Sequence, residues 1–396
     1  MKKHSLLIFL LLLFFVSPSN AKFQSTANLV SVRILTTKII NTFIFSPVGC
    51  TYSVYGDGVL LEDCDPSGIF QMSIEKDFIR LKTFEKNIGK FSVIKMVAKE
   101  PFAAFKIKSV IPQGKVRTYN DNLEVMLAAD GSQFLLINKV DLENYIAGAV
   151  ESEGGKGSNL EYYKIQAILC RTYLLAHLNR HFLEGYEVCD DVHCQAYTNR
   201  ATEENIIKAV LDTRGIVVVD NNLNLITAAF HSNCGGETCN SQDVWAMPTT
   251  YLKSVKDTFC RYQSQAHWQR VIPLEDWQAY LQLKHKYPVD DTLNFSAATS
   301  FSQSSGRAVY FKDKELKIPL KNIRADFKLK STYFSIDQKD DSIIFKGRGY
   351  GHGVGLCQEG AMQMAKLKYS YEYILHYYYK DVNLVDVSAL NSFRQE

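Results

Sequence analysis

The segment DLENYIAGAVESEGG, residues 141–155, places three glutamates in a stretch whose other residues are largely apolar. On a helical wheel with about 100° per residue, the apolar side chains form one stripe. The members of this stripe are Leu142, Tyr145, Ile146, Ala149 and Val150. The pattern predicts a helix that begins near Asp141 and ends at the glycine pair Gly154-Gly155.

The three glutamates differ in their position on this predicted helix. Glu153 falls inside the apolar stripe, whereas Glu151 lies on the opposite side and Glu143 at the edge of the stripe. We therefore expect Glu143 and Glu151 to be solvated charges. Burial disfavours the charged form of a carboxyl group, so the pKa of Glu153 should be raised, which suits a general acid. The alternative is that Glu153 is a frayed terminal residue that turns to water.

The periodicity of the rest of the chain predicts an α+β protein with a helical core packed against β-rich regions. Short β-type runs separated by turn residues fill a β-rich N-terminal region, residues 22–139. Helical periods dominate a core over residues 140–260. An inserted α/β subdomain is predicted over residues 261–340, and residues 341–396, with a five-glycine loop and two short helices, complete the core.

A second helix is predicted from a capping box formed by Ser158 and Glu161, and it should extend to about His181. Lys164 and Arg171 lie seven residues apart on one face of this helix, among apolar residues. Long cationic side chains in such positions are commonly paired within the structure. The alternative is that they line a cleft and contact a polar substrate.

The N-terminus has the pattern of a secretory signal peptide over residues 1–21. Lys2-Lys3 precede an apolar run that is short for a membrane span, and Ala21 ends a small-residue cleavage pattern. An uncleaved anchor is the alternative. We expect an exported protein, periplasmic or extracellular, with no stable membrane span. The net charge of +3 and the absence of a basic stripe argue against nucleic acid as a partner.

Nine cysteines are compatible with an oxidising compartment. Cys50 and Cys64 flank a predicted turn, so a disulfide between them could join the two strands of a hairpin. Disulfides such as Cys189–Cys194 or Cys234–Cys239 are preferred, and Cys170 is expected to be an inert buried thiol. Residue types that bind metals also occur together at Cys189, His193 and Cys194, so a structural zinc ion is the alternative, although the spacing is not a standard zinc signature.

Eight motifs in a fixed order resemble the stage II sporulation protein D (SpoIID) and amidase-enhancer family of bacterial cell-wall proteins. They are YIAGAVESE with YYKIQAILCRTY, CQAYTNR, AVLDTRGIVV, AFHSNCGGETC, DVWAMPTTYLKSV, SSGRAVYF, NIRADF and GRGYGHGVGLCQEGAMQMA. The resemblance covers roughly residues 140–379. The sequence departs from the family pattern at two places. Two glycines follow Glu153 where the family usually has Met-Pro, and Leu169-Cys170 replace small residues. These changes could alter the width of the cleft, so the family's preference for a particular glycan chain does not carry over with certainty.

The resemblance implies a secreted lytic transglycosylase that cleaves peptidoglycan glycan strands, preferably strands stripped of stem peptides. It assigns the catalytic role to Glu153, which periodicity selects independently. It implies no required cofactor and a cell-wall amidase as a further partner. The residues it implies for substrate binding are Lys164, Gln166, Arg171, Tyr197, His231, Ser232, His352 and Gln358.

Four other interpretations involve the same residues and motifs. A non-catalytic glycan-binding enhancer of an amidase stays open, as does a second carboxylate at Glu237 or Asp243. A hydrolase that uses His231 and Ser232 is disfavoured, because adjacent residues rarely act as base and nucleophile. The run GRGYGHGVG lacks the spacing of a dinucleotide-binding loop and instead suggests close backbone approach to a groove.

Overall fold

The computed structural model describes residues 29–245, 247–304, 306–311 and 318–394. The predicted signal peptide, residues 1–21, lies outside these ranges. The described part contains helices and several sheets, which confirms the α+β class. Within the described ranges no helix has the length and apolar character required to cross a bilayer.

Residues 29–141 are rich in β-strands. Its strands are β1 (Leu29–Arg33), β2 (Thr42–Val48), β3 (Tyr52–Gly56), β4 (Val59–Cys64), β5 (Phe70–Glu75), β6 (Phe78–Lys82), β7 (Asn87–Phe91), β8 (Ile94–Ala98), β9 (Ala104–Ile111), β10 (Val116–Asn120), β11 (Asn122–Leu127) and β12 (Phe134–Asp141). In β9, buried Phe105 and Ile107 alternate with exposed Lys106 and Lys108, which is the pattern of a strand with one face on a core.

These strands belong to two sheets that share one core. One sheet has the order β10-β9-β2-β5-β6-β7, and the other contains β1-β12-β11-β8-β3-β4. Aromatic side chains meet between them: Phe43 on β2 contacts Phe134 on β12, with ring centroids 5.0 Å apart. Phe45 on β2 similarly contacts Tyr52 on β3 at 5.3 Å. Edge-to-face aromatic pairs of this kind stabilise the sheet packing beyond their buried area.

The helical core follows β12 directly. Its elements are α1 (Leu142–Gly154), α2 (Leu160–Ala176), β13 (Val188–Cys189), α3 (Glu204–Asp212), β14 (Ile216–Asp220) and β15 (Phe230–His231). Asp141 caps α1 by accepting hydrogen bonds from the N–H groups of Glu143 and Asn144, and Gly155 ends it with a positive φ of 69°. The bounds predicted for α1 are therefore confirmed.

The second helix differs from its prediction at both ends. Its N-cap is Asn159, whose side chain accepts from the N–H of Glu161, rather than Ser158. Ser158 N–H instead donates to the hydroxyl of Tyr163, so this position is not the cap. The helix ends at Ala176, five residues before His181, because the chain turns there toward β13.

Residues 241–348 form a further segment, and its part from Trp268 to Phe345 supplies a separate hydrophobic cluster around Trp277. The elements of this segment are α4 (Ser241–Val244), β16 (His267–Pro273), α5 (Leu274–Ala279), α6 (Thr292–Thr299), β17 (Ser300–Phe301), β18 (Tyr310–Phe311), β19 (Ile318–Pro319), α7 (Leu320–Asp326), β20 (Phe334–Lys339) and β21 (Ser342–Arg348). The sheet order is β16-β21-β20-β17, and Phe345 on β21 belongs to the cluster. The hydrogen bonds between β20 and β21 cross the predicted boundary at residue 340 and place the end of this unit nearer Arg348.

The C-terminal segment packs against the helical core. It contains β22 (Leu356–Cys357), α8 (Gln358–Lys366), α9 (Tyr371–Tyr378), β23 (Val382–Asp386) and α10 (Val387–Arg394). β22 lies parallel to β15, and β23 lies antiparallel to β14. β13 adds to the first sheet by parallel pairing with β1, so one continuous core joins the β-rich region, the helices and this segment.

Candidate functional site

Glu153 lies in the last turn of α1 with a partly buried side chain. Its Oε1 accepts a 2.7 Å hydrogen bond from the backbone N–H of Ala196. Burial raises the pKa of Glu153, and the Ala196 hydrogen bond only partly offsets this. The raised pKa predicted from the helical pattern is therefore confirmed, and the alternative of a frayed, solvated residue is not what the structure contains.

The other two glutamates of the segment are not solvated charges, which corrects the prediction for both. Glu143 forms a bidentate ion pair with Arg171, with oxygen–nitrogen distances of 3.1 and 2.6 Å. Glu151 accepts hydrogen bonds from the N–H groups of Thr202 and Glu203, at 2.7 and 2.9 Å, just before α3. Burial alone would raise the pKa of Glu151, but these bonds and Lys156 lower it below its usual value.

The two cationic residues proposed for substrate binding are paired within the protein. The side chain of Arg171 is 1% exposed, and its guanidinium also donates to the carbonyl oxygen of Ile216 at 3.0 Å. Lys164 contacts Glu161 at 2.9 Å and Asp212 at 3.8 Å. These contacts match the expectation of pairing within the structure, not the alternative of a cleft, and the Arg171 guanidinium is shielded from solvent.

Tyr197 is a core residue that supports α1. It is fully buried, its ring packs against Tyr145, and its hydroxyl donates to Asn138 Oδ1 at 3.1 Å. A Cβ at Gly148 would overlap this ring and would lie 2.6 Å from the carbonyl oxygen of Asn199. Glycine is therefore needed for α1 to approach the 196–199 loop closely enough for Ala196 to reach Glu153.

Gln166 lies beside the end of α1 and has an unusual environment. It is fully buried in α2, and neither atom of its amide group has a hydrogen-bond partner among the described residues. Its Cγ is 3.7 Å from the place where a Cβ on Gly154 would stand. A buried amide without partners is costly, so this group is available to a ligand or to water near Glu153.

The glycine-rich loop after β21 reaches the same region. Gln358, the first residue of α8, donates from Nε2 to the backbone carbonyl oxygen of Glu153 at 3.2 Å. Gly349, Gly351, Gly353 and Gly355 all have positive φ. At Gly355 a Cβ would collide with the backbone of Ala229, so the predicted close backbone approach is present.

His231 and His352 face one another, with ring centroids 5.4 Å apart. The Nδ1 atom of His231 lies 3.1 Å from the carbonyl oxygen of Val354 and must therefore carry the proton, which leaves Nε2 as an acceptor. His352 has the other tautomer, because its Nδ1 accepts from the N–H of Val354. Burial lowers the pKa of His231 well below its usual value and that of His352 to about 4, so both rings are neutral near pH 7.

The residues weighed for further catalytic roles have other partners. The backbone carbonyl oxygen of Ser232 accepts a 3.0 Å hydrogen bond from Glu359 N–H. Glu237 pairs with Lys256 at 2.8 Å, and Asp243 accepts from Asn240. Neither carboxylate contributes to the pKa shift of Glu153, whose causes are burial and Ala196.

Four potential metal ligands converge at the base of the loop that contains Ala196. They are His181, Cys189, His193 and Cys194, and their donor atoms lie within 4.8 Å of one another. Cys194 Sγ is 3.5 Å from His181 Nε2 and 3.7 Å from His193 Nδ1. Sequence reasoning identified three of these residues and missed His181, whose only signal was its place shortly before the cysteines.

The described residues include all nine cysteines, and none of them is joined in a disulfide. The disulfides predicted from sequence are therefore not formed. Cys234 lies 3.4 Å from Cys260, whereas Cys239 hydrogen-bonds through its backbone to Gly353. Cys170 is buried as expected, and burial raises its pKa, so it is an inert thiol.

Comparison with known proteins agrees with the motifs identified in the sequence. The family model described as SpoIID, stage II sporulation protein, matches residues 130–219. The resemblance to the SpoIID family is confirmed. The SpoIID match includes Glu153, Gln166, Ala196 and the His181–Cys194 cluster, whereas His231, His352 and Gln358 lie beyond it.

Three curated relatives show how far this similarity extends. The stage II sporulation protein D of Bacillus subtilis is 28% identical over 277 residues, which cover 65% of this chain and 78% of that protein. The amidase enhancer of the same organism is 27% identical over 291 residues, which cover 60% of this chain but 40% of the enhancer. An uncharacterised protein of Brachyspira hyodysenteriae is 27% identical over 261 residues, covering 65% of this chain and 70% of that protein.

Proposed function

We propose that this protein is an exported peptidoglycan lytic transglycosylase that uses Glu153 as its single acid and base. The coarser assignment, a SpoIID-type protein of cell-wall metabolism, is supported by the family match and by relatives named stage II sporulation protein D and amidase enhancer. The single observation that supports the finer assignment is the buried Glu153 carboxyl, whose pKa is raised and which is held by Ala196 N–H.

The reaction requires one proton donor that later acts as a base. Protonated Glu153 donates its proton to the oxygen that leaves from C1 of MurNAc, so the MurNAc–GlcNAc bond breaks and the GlcNAc hydroxyl is restored. The Glu153 carboxylate then removes the proton of the C6 hydroxyl of the same MurNAc as O6 bonds to C1. The product is 1,6-anhydro-MurNAc, water is not consumed, and Glu153 regains its proton.

Neighbouring residues position this acid and the glycan. Ala196 N–H fixes one carboxyl oxygen of Glu153, and Gln358 fixes the backbone at the end of α1. The unpaired amide of Gln166 and the acceptor Nε2 of His231 are the buried polar groups we assign to substrate hydrogen bonds. The two glycines after Glu153 leave space for a sugar strand. Strands without stem peptides are the substrate we expect.

The decisive test is digestion of amidase-treated peptidoglycan, followed by mass spectrometry of the products. Wild type should release fragments with anhydro-MurNAc ends, and Glu153→Gln should release none above background. Glu204→Gln, the same change at an exposed position on α3, is the matched control and should behave as wild type. Absence of anhydro ends with wild type, or equal yields from Glu153→Gln, would overturn the assignment.

The second candidate is a non-catalytic protein that binds glycan and enhances a cell-wall amidase. One observation favours it, namely that a relative carries the name amidase enhancer. An enhancer has no need of the Glu153 carboxyl. If Glu153→Gln stimulated amidase digestion of peptidoglycan as strongly as wild type while neither released anhydro ends, the enhancer function would replace the enzymatic one.

We further propose that His181, Cys189, His193 and Cys194 hold a structural zinc ion. Two sulfur and two imidazole nitrogen ligands suit tetrahedral zinc, whose ligand atoms lie about 3.4–3.8 Å apart. The distances from Cys194 Sγ to His181 Nε2 and His193 Nδ1, 3.5 and 3.7 Å, fit this range, and Cys189 Sγ lies 3.9 Å from His193 Nδ1, just beyond it. His181 Nδ1 contacts Glu184 at 2.6 Å, the outer-sphere carboxylate typical of zinc-binding histidines. The ion would stiffen the loop that presents Ala196 and takes no part in proton transfer.

A further inference from the structure

A second group of potential ligands lies on the other side of the core and plays no part in the proposed reaction. Cys234, Asp257, Cys260 and Cys357 are all fully buried, and their donor atoms lie within 4.8 Å of one another. Cys234 Sγ is 3.4 Å from Cys260 Sγ and 3.3 Å from Asp257 Oδ2. Cys234 lies in the loop after β15, Asp257 and Cys260 lie between α4 and β16, and Cys357 ends β22.

The acidic groups of this cluster have hydrogen-bond donors around them but no cationic partner among the described residues. Asp257 has no basic partner among the described residues: its carboxylate accepts from the Tyr378 hydroxyl at 2.9 Å and from two backbone N–H groups. The N–H of Cys234 points at Cys357 Sγ at 3.3 Å. Three thiols and a carboxyl group buried without a counter-cation are unusual, because buried acids are ordinarily paired or bound to metal.

Close packing brings the carboxylate into the cluster. A Cβ at Gly360, in the first turn of α8, would overlap Asp257 Oδ2 and the Tyr378 hydroxyl. Only glycine at this position lets α8 approach the carboxylate, and Cys357 caps the same helix. The close approach of α8 thus keeps the Asp257 carboxylate next to the three thiols.

We propose that Cys234, Asp257, Cys260 and Cys357 form a second zinc site, closed and structural, with three sulfur ligands and one oxygen ligand. Sulfur-rich donors select zinc over magnesium or calcium, and four protein ligands leave no open position for catalysis. A disulfide between Cys234 and Cys260 would account for only two of the four groups. The Asp257 carboxyl and the Cys357 thiol would stay buried without a cation to bind them. The ion would fix the loop that leads into Gln358, independently of what reaction the protein performs.

The first test is the metal content of the full chain, purified without chelators and measured by elemental analysis and native mass spectrometry. Cys260→Ser should lose one zinc equivalent relative to wild type. Cys170→Ser, which removes another fully buried thiol away from the cluster, should retain the wild-type content. Equal zinc in wild type and Cys260→Ser, or a Cys234–Cys260 disulfide in peptide maps of non-reduced wild type, would overturn the site.

A second variant covers the case in which Cys260→Ser fails to fold. Asp257→Cys converts the ligand set to four sulfurs and should keep the ion. After substitution with cobalt, its thiolate-to-metal charge-transfer absorption should exceed that of wild type. Cobalt spectra identical to wild type, in a variant whose circular dichroism shows a folded chain, would also overturn the proposal.

Discussion

The backbone N–H of Ala196 donates to Glu153 Oε1 at 2.7 Å, although the two residues are 43 positions apart. Glu153 comes from the end of a helix and Ala196 from the loop that follows the His181–Cys194 cluster. The position of the acid is therefore set by two elements, and changes in either should alter its chemistry.

Replacement of Glu153 should remove activity without unfolding the protein. We expect Glu153→Gln to lower the release of anhydro-MurNAc ends by about 10²- to 10⁴-fold, the usual contribution of general acid–base catalysis. The glutamine Oε1 can still accept from Ala196, so circular dichroism should be unchanged. A variant with near-normal turnover would place the acid elsewhere.

The pH dependence of wild-type turnover should reflect the raised pKa of Glu153. The first step needs the protonated acid, so kcat/KM should fall on the alkaline side with an apparent pKa above about 4.3, the value of an unperturbed glutamate. Measurement of kcat/KM across pH with denuded glycan checks this. Decline that begins at or below the unperturbed value would contradict it.

The stability of the protein should also depend on pH because the pKa of Glu153 is raised. Because the folded state binds the Glu153 proton more tightly than the unfolded chain, wild type loses stability as pH rises from the unfolded pKa through the folded one. Glu153→Gln carries no such charge. Its Tm should therefore exceed that of wild type at neutral pH, and the difference should vanish in acid. A Tm difference that is constant with pH would be inconsistent with a desolvated carboxyl.

Glu151 should matter for stability rather than for turnover. Its carboxylate accepts from Thr202 and Glu203 N–H groups before α3, as an N-cap does. Glu151→Ala should lower the free energy of unfolding by about 1 kcal/mol, typical of a lost cap. Urea unfolding measures this, with exposed Glu204→Ala as control. Loss of kcat in folded Glu151→Ala would instead indicate a direct role.

Gly148 should tolerate no side chain. Gly148→Ala drives a methyl group into Tyr197 and the backbone of Asn199, and overpacking of this kind costs about 1–3 kcal/mol. The shift should also displace Ala196 and lower kcat. Gly154→Ala makes a useful comparison, because its nearest neighbour would lie 3.4 Å away, an ordinary contact. Equal unfolding midpoints for the two variants would refute the packing argument.

Sequence periodicity was sufficient for the local features of the site and insufficient for the long-range ones. The bounds of α1 and the burial of Glu153 follow from residues within one helix. Glu143 and Glu151 were predicted to be solvated because their partners, Arg171 and Thr202, lie 28 and 51 positions away. His181 was missed for the same reason: its link to Cys194 depends on how a loop folds back. The resemblance to the family supplied what periodicity could not, namely the reaction.

The parallel pairing of β13 with β1 has a consequence for how this chain can be divided. Val188 and Cys189 are hydrogen-bonded neighbours of Val32 and Arg33, and Asp190 accepts from Leu35 N–H at 2.5 Å. The loop that contains Ala196 thus begins at β13, which pairs with β1. Strand β1 lies almost a hundred positions before the start of the family match. A fragment trimmed to the matched range would expose the edge of β13 and release the loop. The matched range therefore lacks a strand that positions the Ala196 loop.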